Sequence, residues 1–111
     1  MDDNALSLVL KAAGDETRRE LLTVLVQEGP LRVTDLAARF DMSLNGVSKH
    51  IKVLEAAGLV KRRTLGREHL IEADLGPVRE VEAWFARLKS IWELRLDFLA
   101  QLLSEKDTHH D

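Results

Sequence analysis

The chain of 111 residues contains no cysteine. That excludes disulfides, a thiolate metal site and a thiol redox switch, although it does not by itself assign a compartment. Long apolar runs are missing too. The longest is Leu21-Leu22 followed, after Thr23, by Val24-Leu25-Val26, far short of a membrane span. The opening Met1-Asp2-Asp3 is acidic rather than signal-like, so the expectation is a cytoplasmic protein with no membrane partner. There are no internal repeats or low-complexity segments. Also absent are a nucleophile with its base and orienter, a paired-carboxylate cleft and a phosphate-cradling glycine loop. The expectation is therefore no catalytic residue, no enzyme activity and no cofactor.

What is present is one small globular domain by length, 45% hydrophobic and 32% charged. A domain this small buries a modest core and gains from dimerising. The net charge of −3 conceals a gradient. Between Ser43 and Arg67 stand Lys49, Lys52, Lys61, Arg62, Arg63 and Arg67 against Glu55 alone, a local balance of +5 that leaves −8 on the remainder. A basic block in an acidic chain suits a polyanion, although such a run also serves as a plain solvated face.

The block begins with a helix whose two ends are signed. Ser43 can cap its first turn, and Gly58 can take the left-handed conformation that closes its last. Leu44, Val47, Ile51 and Leu54 recur at helical spacing and should face a core. Asn45, Lys49, Lys52 and Ala56 fall on the opposite side, with Ser48 flanking them. Amide and hydroxyl groups can read base edges in a major groove while ammonium groups neutralise phosphate. An ordinary amphipathic surface helix is the competing reading.

The flanking chain supplies the setting. Leu6, Val9, Leu10 and Ala13 predict a first helix stopped by Gly14, and a second begins at a cap supplied by Asp15 or by Thr17 with Glu20. Leu21, Leu22, Val24 and Leu25 form its buried side, and Gly29-Pro30 ends it. Leu31-Arg32-Val33 is short and extended. Thr34 to Phe40 is a short helix, with Leu36, Ala37 and Phe40 inward, separated from the Ser43 cap by a tight turn in which Asp41 should bend most. A basic hairpin follows, either with a two-residue Gly66-Arg67 turn that sets Val60 opposite Ala73 and Lys61 opposite Glu72, or with a longer loop from Thr64 to Arg67. Pro77 opens a final helix reaching about Leu103. Along it Val81, Phe85, Leu88, Trp92, Leu96, Leu99 and Leu103 form one stripe. Trp84, Ile91, Leu94, Phe98 and Leu102 widen that stripe past what one side of a small core can cover. A second copy of the chain is the economical partner, with the first and last helices as the interface. Residues 1–103 are thus expected to be the domain and 104–111 a polar, frayed tail.

This order of elements resembles the winged helix-turn-helix repressors of the ArsR family. The likeness is carried by Asp15-Glu16-Thr17-Arg18-Arg19-Glu20-Leu21-Leu22, Asp35-Leu36-Ala37, Val47-Ser48-Lys49-His50-Ile51-Lys52-Val53-Leu54, Ala57-Gly58-Leu59-Val60 and Gly66-Arg67. It implies a mostly α fold with a small β-hairpin wing, homodimeric through the terminal helices and acting as a repressor on palindromic double-stranded DNA. It further implies DNA contacts from Ser43, Leu44, Asn45, Gly46, Ser48, Lys49 and Lys52, with Arg63 and Arg67 from the wing. The dimer contacts expected are Leu6, Val9, Leu10, Trp84, Leu88, Ile91, Trp92, Leu94, Phe98 and Leu102.

Departures from the resemblance bear on regulation. The family's metal sensors carry cysteine where this chain has Arg32-Val33-Thr34-Asp35, and no histidine lies between Pro77 and Leu103. No metal site is expected, adjacent His109 and His110 included; the inducing small molecule is left open. His50 is read as helix packing and His69 as hairpin surface. The alternative function is a winged-helix protein-interaction module without DNA binding. Such a module more often displays apolar or acidic side chains where this chain has Asn45, Ser48, Lys49 and Lys52.

Overall fold

The computed structural model describes residues 3–108. In order they form α1 (Asp3–Ala13), α2 (Glu16–Glu28), α3 (Val33–Arg39), α4 (Leu44–Ala56), β1 (Val60–Leu65), β2 (Glu68–Ala73) and α5 (Val78–Thr108). The chain divides into two compact units at Val81 and Glu82.

In the first unit, most element ends are fixed by local hydrogen bonds. Asp15 caps α2 by accepting from the Arg18 backbone N–H at 3.0 Å, which decides between the two predicted caps. The next two side chains satisfy the end of α1: Arg18 donates to the carbonyls of Lys11 (3.0 Å) and Ala12 (2.9 Å), and Arg19 to that of Ala13 (2.8 Å). Those carbonyls have no partner within their own helix, and a cation suits the negative end of its dipole.

α3 ends in a Schellman-type turn built on an aspartate. Asp41 takes a positive φ of 51°, its N–H reaching Ala38 O (3.4 Å) while that of Met42 reaches Ala37 O (3.0 Å). Ser43 then caps α4. The same pair of bonds closes α4, from Gly58 N to Glu55 O and from Leu59 N to Leu54 O, both 3.0 Å.

The hairpin adopts the two-residue turn, with Val60 paired to Ala73, Lys61 to Glu72 and Leu65 to Glu68. Gly66, at φ 63°, occupies the first turn position, where a positive φ suits the twist of the strands. The extended segment expected around Arg32 shrinks to one bridge, in which Leu31 and Ile71 exchange bonds of 3.1 and 2.8 Å. Arg62 lies opposite the buried Ile71, and its guanidinium finds Glu55 of α4 instead.

The core of this unit comprises Leu21 and Leu25 of α2, Leu36 of α3, Val47, Ile51 and Leu54 of α4, and Leu59 and Ile71 around the hairpin. No polar or charged side chain among the described residues is buried. Two expectations are corrected. Val9, expected at the dimer interface, is 3% exposed because α1 turns it into the protomer's own core. Leu44, expected to face the core, is 52% exposed; at the first position of α4 it precedes the first full turn that packs. Leu22, Val24 and Phe40 are half-buried against the core.

The second unit, from Glu82 on, is the remainder of α5, which continues to Thr108 rather than ending near Leu103. His109 and His110 lie outside the described residues. A lone helix has no second layer against which to bury an apolar stripe. Both predicted stripes are accordingly open, from Phe85, Leu88, Leu96, Leu99 and Leu103 to Ile91, Phe98, Leu102, Trp92 at 61% and Leu94 at 67% exposure. Trp84 is half-buried, its ring meeting that of Phe85 edge to face at 4.8 Å. Among the described residues no helix is long and apolar enough to cross a membrane.

Candidate nucleic-acid interface

α4 has two chemically distinct sides. Val47, Ile51 and Leu54 are buried, and the rotation of 100° per residue then brings Asn45, Lys49, Lys52 and Ala56 to the exposed side. Gly46 and Ser48 are half-buried at its edge. At the N-terminus Ser43 Oγ accepts from Gly46 N–H at 3.0 Å. A Cβ at Gly46 would stand 3.2 Å from both Ser43 Oγ and Met42 Cε, so the missing side chain keeps the cap and the turn close together. The polar end of Ser43 faces inward to its own helix, whereas Leu44 and Asn45 project beyond it.

The charges around this side are sorted by ion pairing. Arg62 Nε meets Glu55 Oε2 at 3.2 Å, Arg63 Nη1 meets Glu72 Oε1 at 3.3 Å, and Arg32 Nε meets Asp35 Oδ2 at 3.1 Å. Arg32 beside Asp35 holds that carboxyl below the usual carboxylate range. Arg39 is paired with Glu28. Among the described residues Lys49 and Lys52 on α4, and Arg67 at the hairpin tip, take part in no ion pair. Of the residues expected at the interface, Ser43 through Lys52 thus lie along one helix and its cap. Arg67 is exposed at the turn, and Arg63 is exposed but already bound to Glu72. Glu72 pairs diagonally with Arg63, although Lys61 is its direct partner in the ladder.

Sequence reasoning missed one connection to this helix. His50 is half-buried, and its Nδ1 lies 3.3 Å from Nη1 of Arg18, the residue that also caps α1. Two arginines just beyond the Gly14 stop are the signal for such a cap; nothing local points to His50, 32 residues away. His69 is exposed, with Nδ1 3.4 Å from Thr64 Oγ1. Among the described residues no three His, Cys, Asp or Glu side chains are grouped to hold a metal.

Comparison with known proteins agrees with this geometry. The helix-turn-helix domain family matches residues 13–63, from the end of α1 to the first strand of the hairpin. The chain is 33% identical to the HTH-type transcriptional regulator Rv2034 of Mycobacterium tuberculosis, over 86% of each chain. A crystal structure of an ArsR family transcriptional regulator is similar at 35% identity and a TM-score of 0.75, covering 84% of this chain and 95% of that one. An ArsR-like regulator from Rhodococcus sp. RHA1 is similar at 30% identity and a TM-score of 0.84, over 92% and 93%. With a capped helix-turn-helix, a two-stranded wing and relatives of this identity over nearly their whole length, the chain belongs to the ArsR family of winged helix-turn-helix, DNA-binding transcriptional regulators.

Proposed function

We propose that the protein is a cytoplasmic, homodimeric repressor that lays one α4 helix per protomer in successive major grooves of a palindromic operator. The observation that carries this is the exposed side of α4, where Asn45, Lys49 and Lys52 stand without ion pairs among the described residues while neighbouring arginines are neutralised by Glu55 and Glu72. Asn45 is the base reader, since an amide can bond an adenine edge in two places. Leu44 offers apolar contact to a thymine methyl, Ser43, Gly46 and Ser48 allow close approach, and Lys49 and Lys52 serve phosphates. Arg67 anchors the wing on the backbone. Arg63 contributes only by giving up Glu72.

The dimer is proposed through Trp84, Leu88, Ile91, Trp92, Leu94, Phe98 and Leu102 of α5, with Leu6 and Leu10 of α1. An apolar surface of this extent on one helix calls for a partner, and a second copy satisfies it with a self-complementary contact. Two-fold symmetry sets the half-sites about 34 to 36 Å apart. Neither a thiol-bound metal nor catalysis enters this reading.

Sequencing the DNA fragments retained by the purified protein tests it. An imperfect palindrome with that spacing is expected. Retention of no DNA above background, with equally negligible DNA affinity in the unaltered protein and an Asn45→Ala variant, would instead favour the protein-interaction module.

A further inference from the structure

We propose that Arg18 is a positioning residue of the DNA-reading helix, acting through His50 to hold α4 in one rotational setting against the corner between α1 and α2. This rests on the assignment of α4 proposed above. The Arg18 side chain is 15% exposed and links α2 to both α1 and α4. Its Nε and Nη2 donate to the carbonyls of Ala12 and Lys11 at the end of α1. Its own backbone N–H is bound by the Asp15 carboxylate, whose Oδ2 also stands 4.0 Å from Nη1. The remaining direction, Nη1, points at His50 Nδ1 on α4. An arginine side chain has donors only, so Nδ1 is the acceptor and the ring hydrogen sits on Nε2.

α4 is otherwise held by Val47, Ile51 and Leu54 in the core, apolar contacts that oppose separation but carry little directional preference, and by the exposed pair of its Glu55 with Arg62 of β1 near its far end. The bond to Arg18 is directional. His50 stands next to Lys49 and five residues from Asn45 on a rigid helix, so a roll of α4 that strains the Arg18–His50 bond also re-aims both of those side chains. Specific readout needs base-edge geometry, whereas phosphate contacts tolerate small shifts. Loss of the tie should therefore lower affinity for the preferred operator, spare random DNA, and leave the salt dependence unchanged.

The experiment measures operator and random-DNA affinity of the full chain carrying His50→Leu, His50→Asn or Arg18→Lys, using the operator selected from retained fragments. His50→Leu keeps Arg18 on α1, so the fold is retained. It should bind operator about three- to tenfold more weakly, the range of one hydrogen bond. His50→Asn, whose Oδ1 falls near the Nδ1 position, should recover most of that loss. Combining Arg18→Lys with His50→Leu should weaken binding no further than the stronger single effect, because both remove one contact. In the unaltered protein the imidazole ¹⁵N spectrum should show a bare Nδ1 on His50, perturbed by Arg18→Lys. Unchanged operator binding by His50→Leu, no recovery with asparagine, additive losses, or a hydrogen on Nδ1 would each overturn the proposal. Asn45→Ala, measured alongside, separates the two readings. If it weakens operator binding while His50→Leu does not, only the positioning role fails; if neither does, the assignment of α4 fails with it.

Discussion

Gly58 sits against Pro77 so closely that a Cβ there would lie 3.2 Å from the proline Cγ, and its φ is +76°. Two independent constraints therefore exclude a side chain where α4 turns into the hairpin. Gly58→Ala should cost about 1 to 3 kcal/mol. Gly29 has φ +87° and ψ −167°, a backbone region essentially restricted to glycine, with nothing within 4 Å, so Gly29→Ala meets a backbone penalty alone and should cost about 1 to 3 kcal/mol. Urea unfolding of the two variants reads both losses. An unchanged midpoint in Gly58→Ala would contradict the role of Pro77.

The Asp15 cap should make stability depend on acid. Its carboxyl is held below the usual range, first by the hydrogen bond from the Arg18 backbone N–H and also by the nearby Arg18 side chain. A carboxylate whose folded pKa is depressed contributes stability above its unfolded value, near 3.9, and loses it as pH falls through the folded value. Asp15→Asn keeps a capping oxygen but cannot titrate. Its urea midpoint should fall less steeply than that of the unaltered protein below about pH 4; parallel curves would remove Asp15 from the acid response.

Among the described residues Leu94 is the most exposed of the large apolar side chains, at 67%. Leu94→Glu should therefore leave helix content unchanged while raising the dimer dissociation constant at least about tenfold, as the loss of an interface anchor does. Trp92→Ala should act the same way, showing as dissociation rather than unfolding because its ring is not in the protomer core. Sedimentation equilibrium at micromolar concentration reads both. A monomeric unaltered protein would end the dimer proposal.

Arg67 and Asn45 should separate anchor from reader. Arg67→Ala should weaken all sequences alike and make the slope of log K against log salt shallower by roughly 1.8, for two phosphate charges per dimer. Asn45→Ala should leave the slope unchanged and cost about 1 to 3 kcal/mol per half-site on the preferred operator. Matching slope changes and matching losses on both DNAs would show that the roles are misassigned.

Zinc, arsenite and cadmium at stoichiometric concentration should leave operator affinity unaltered, since the chain has no cysteine and no histidine from Pro77 to Leu103. A saturable weakening in a DNA titration would turn attention to His109 and His110.

Local features of this fold were legible in the chain itself. The Ser43 cap, the bend at Asp41 and the close at Gly58 each depend on backbone groups within about five residues. The side of α4 that carries Asn45, Lys49 and Lys52 follows from helical periodicity, which needs no knowledge of the partner surface. Other outcomes depend on which distant groups arrive nearby. Leu44 and Val47 share one predicted stripe, yet only Val47 meets the core. Arg62 and Arg63 are adjacent cations, but only the placement of α4 beside β1 and the hairpin ladder sends one to Glu55 and the other to Glu72. Arg18 and His50 meet across 32 residues, and no periodicity reports a contact whose partners lie on different helices. Sequence determined the cap and bend of the helix-turn-helix and the polar side of α4, because those choices are made by neighbours along the chain, and it left open the α2 cap and the hairpin turn. Tertiary structure decided which charges are ion-paired within the protein and which, among the described residues, are not, because ion pairing depends on proximity in space.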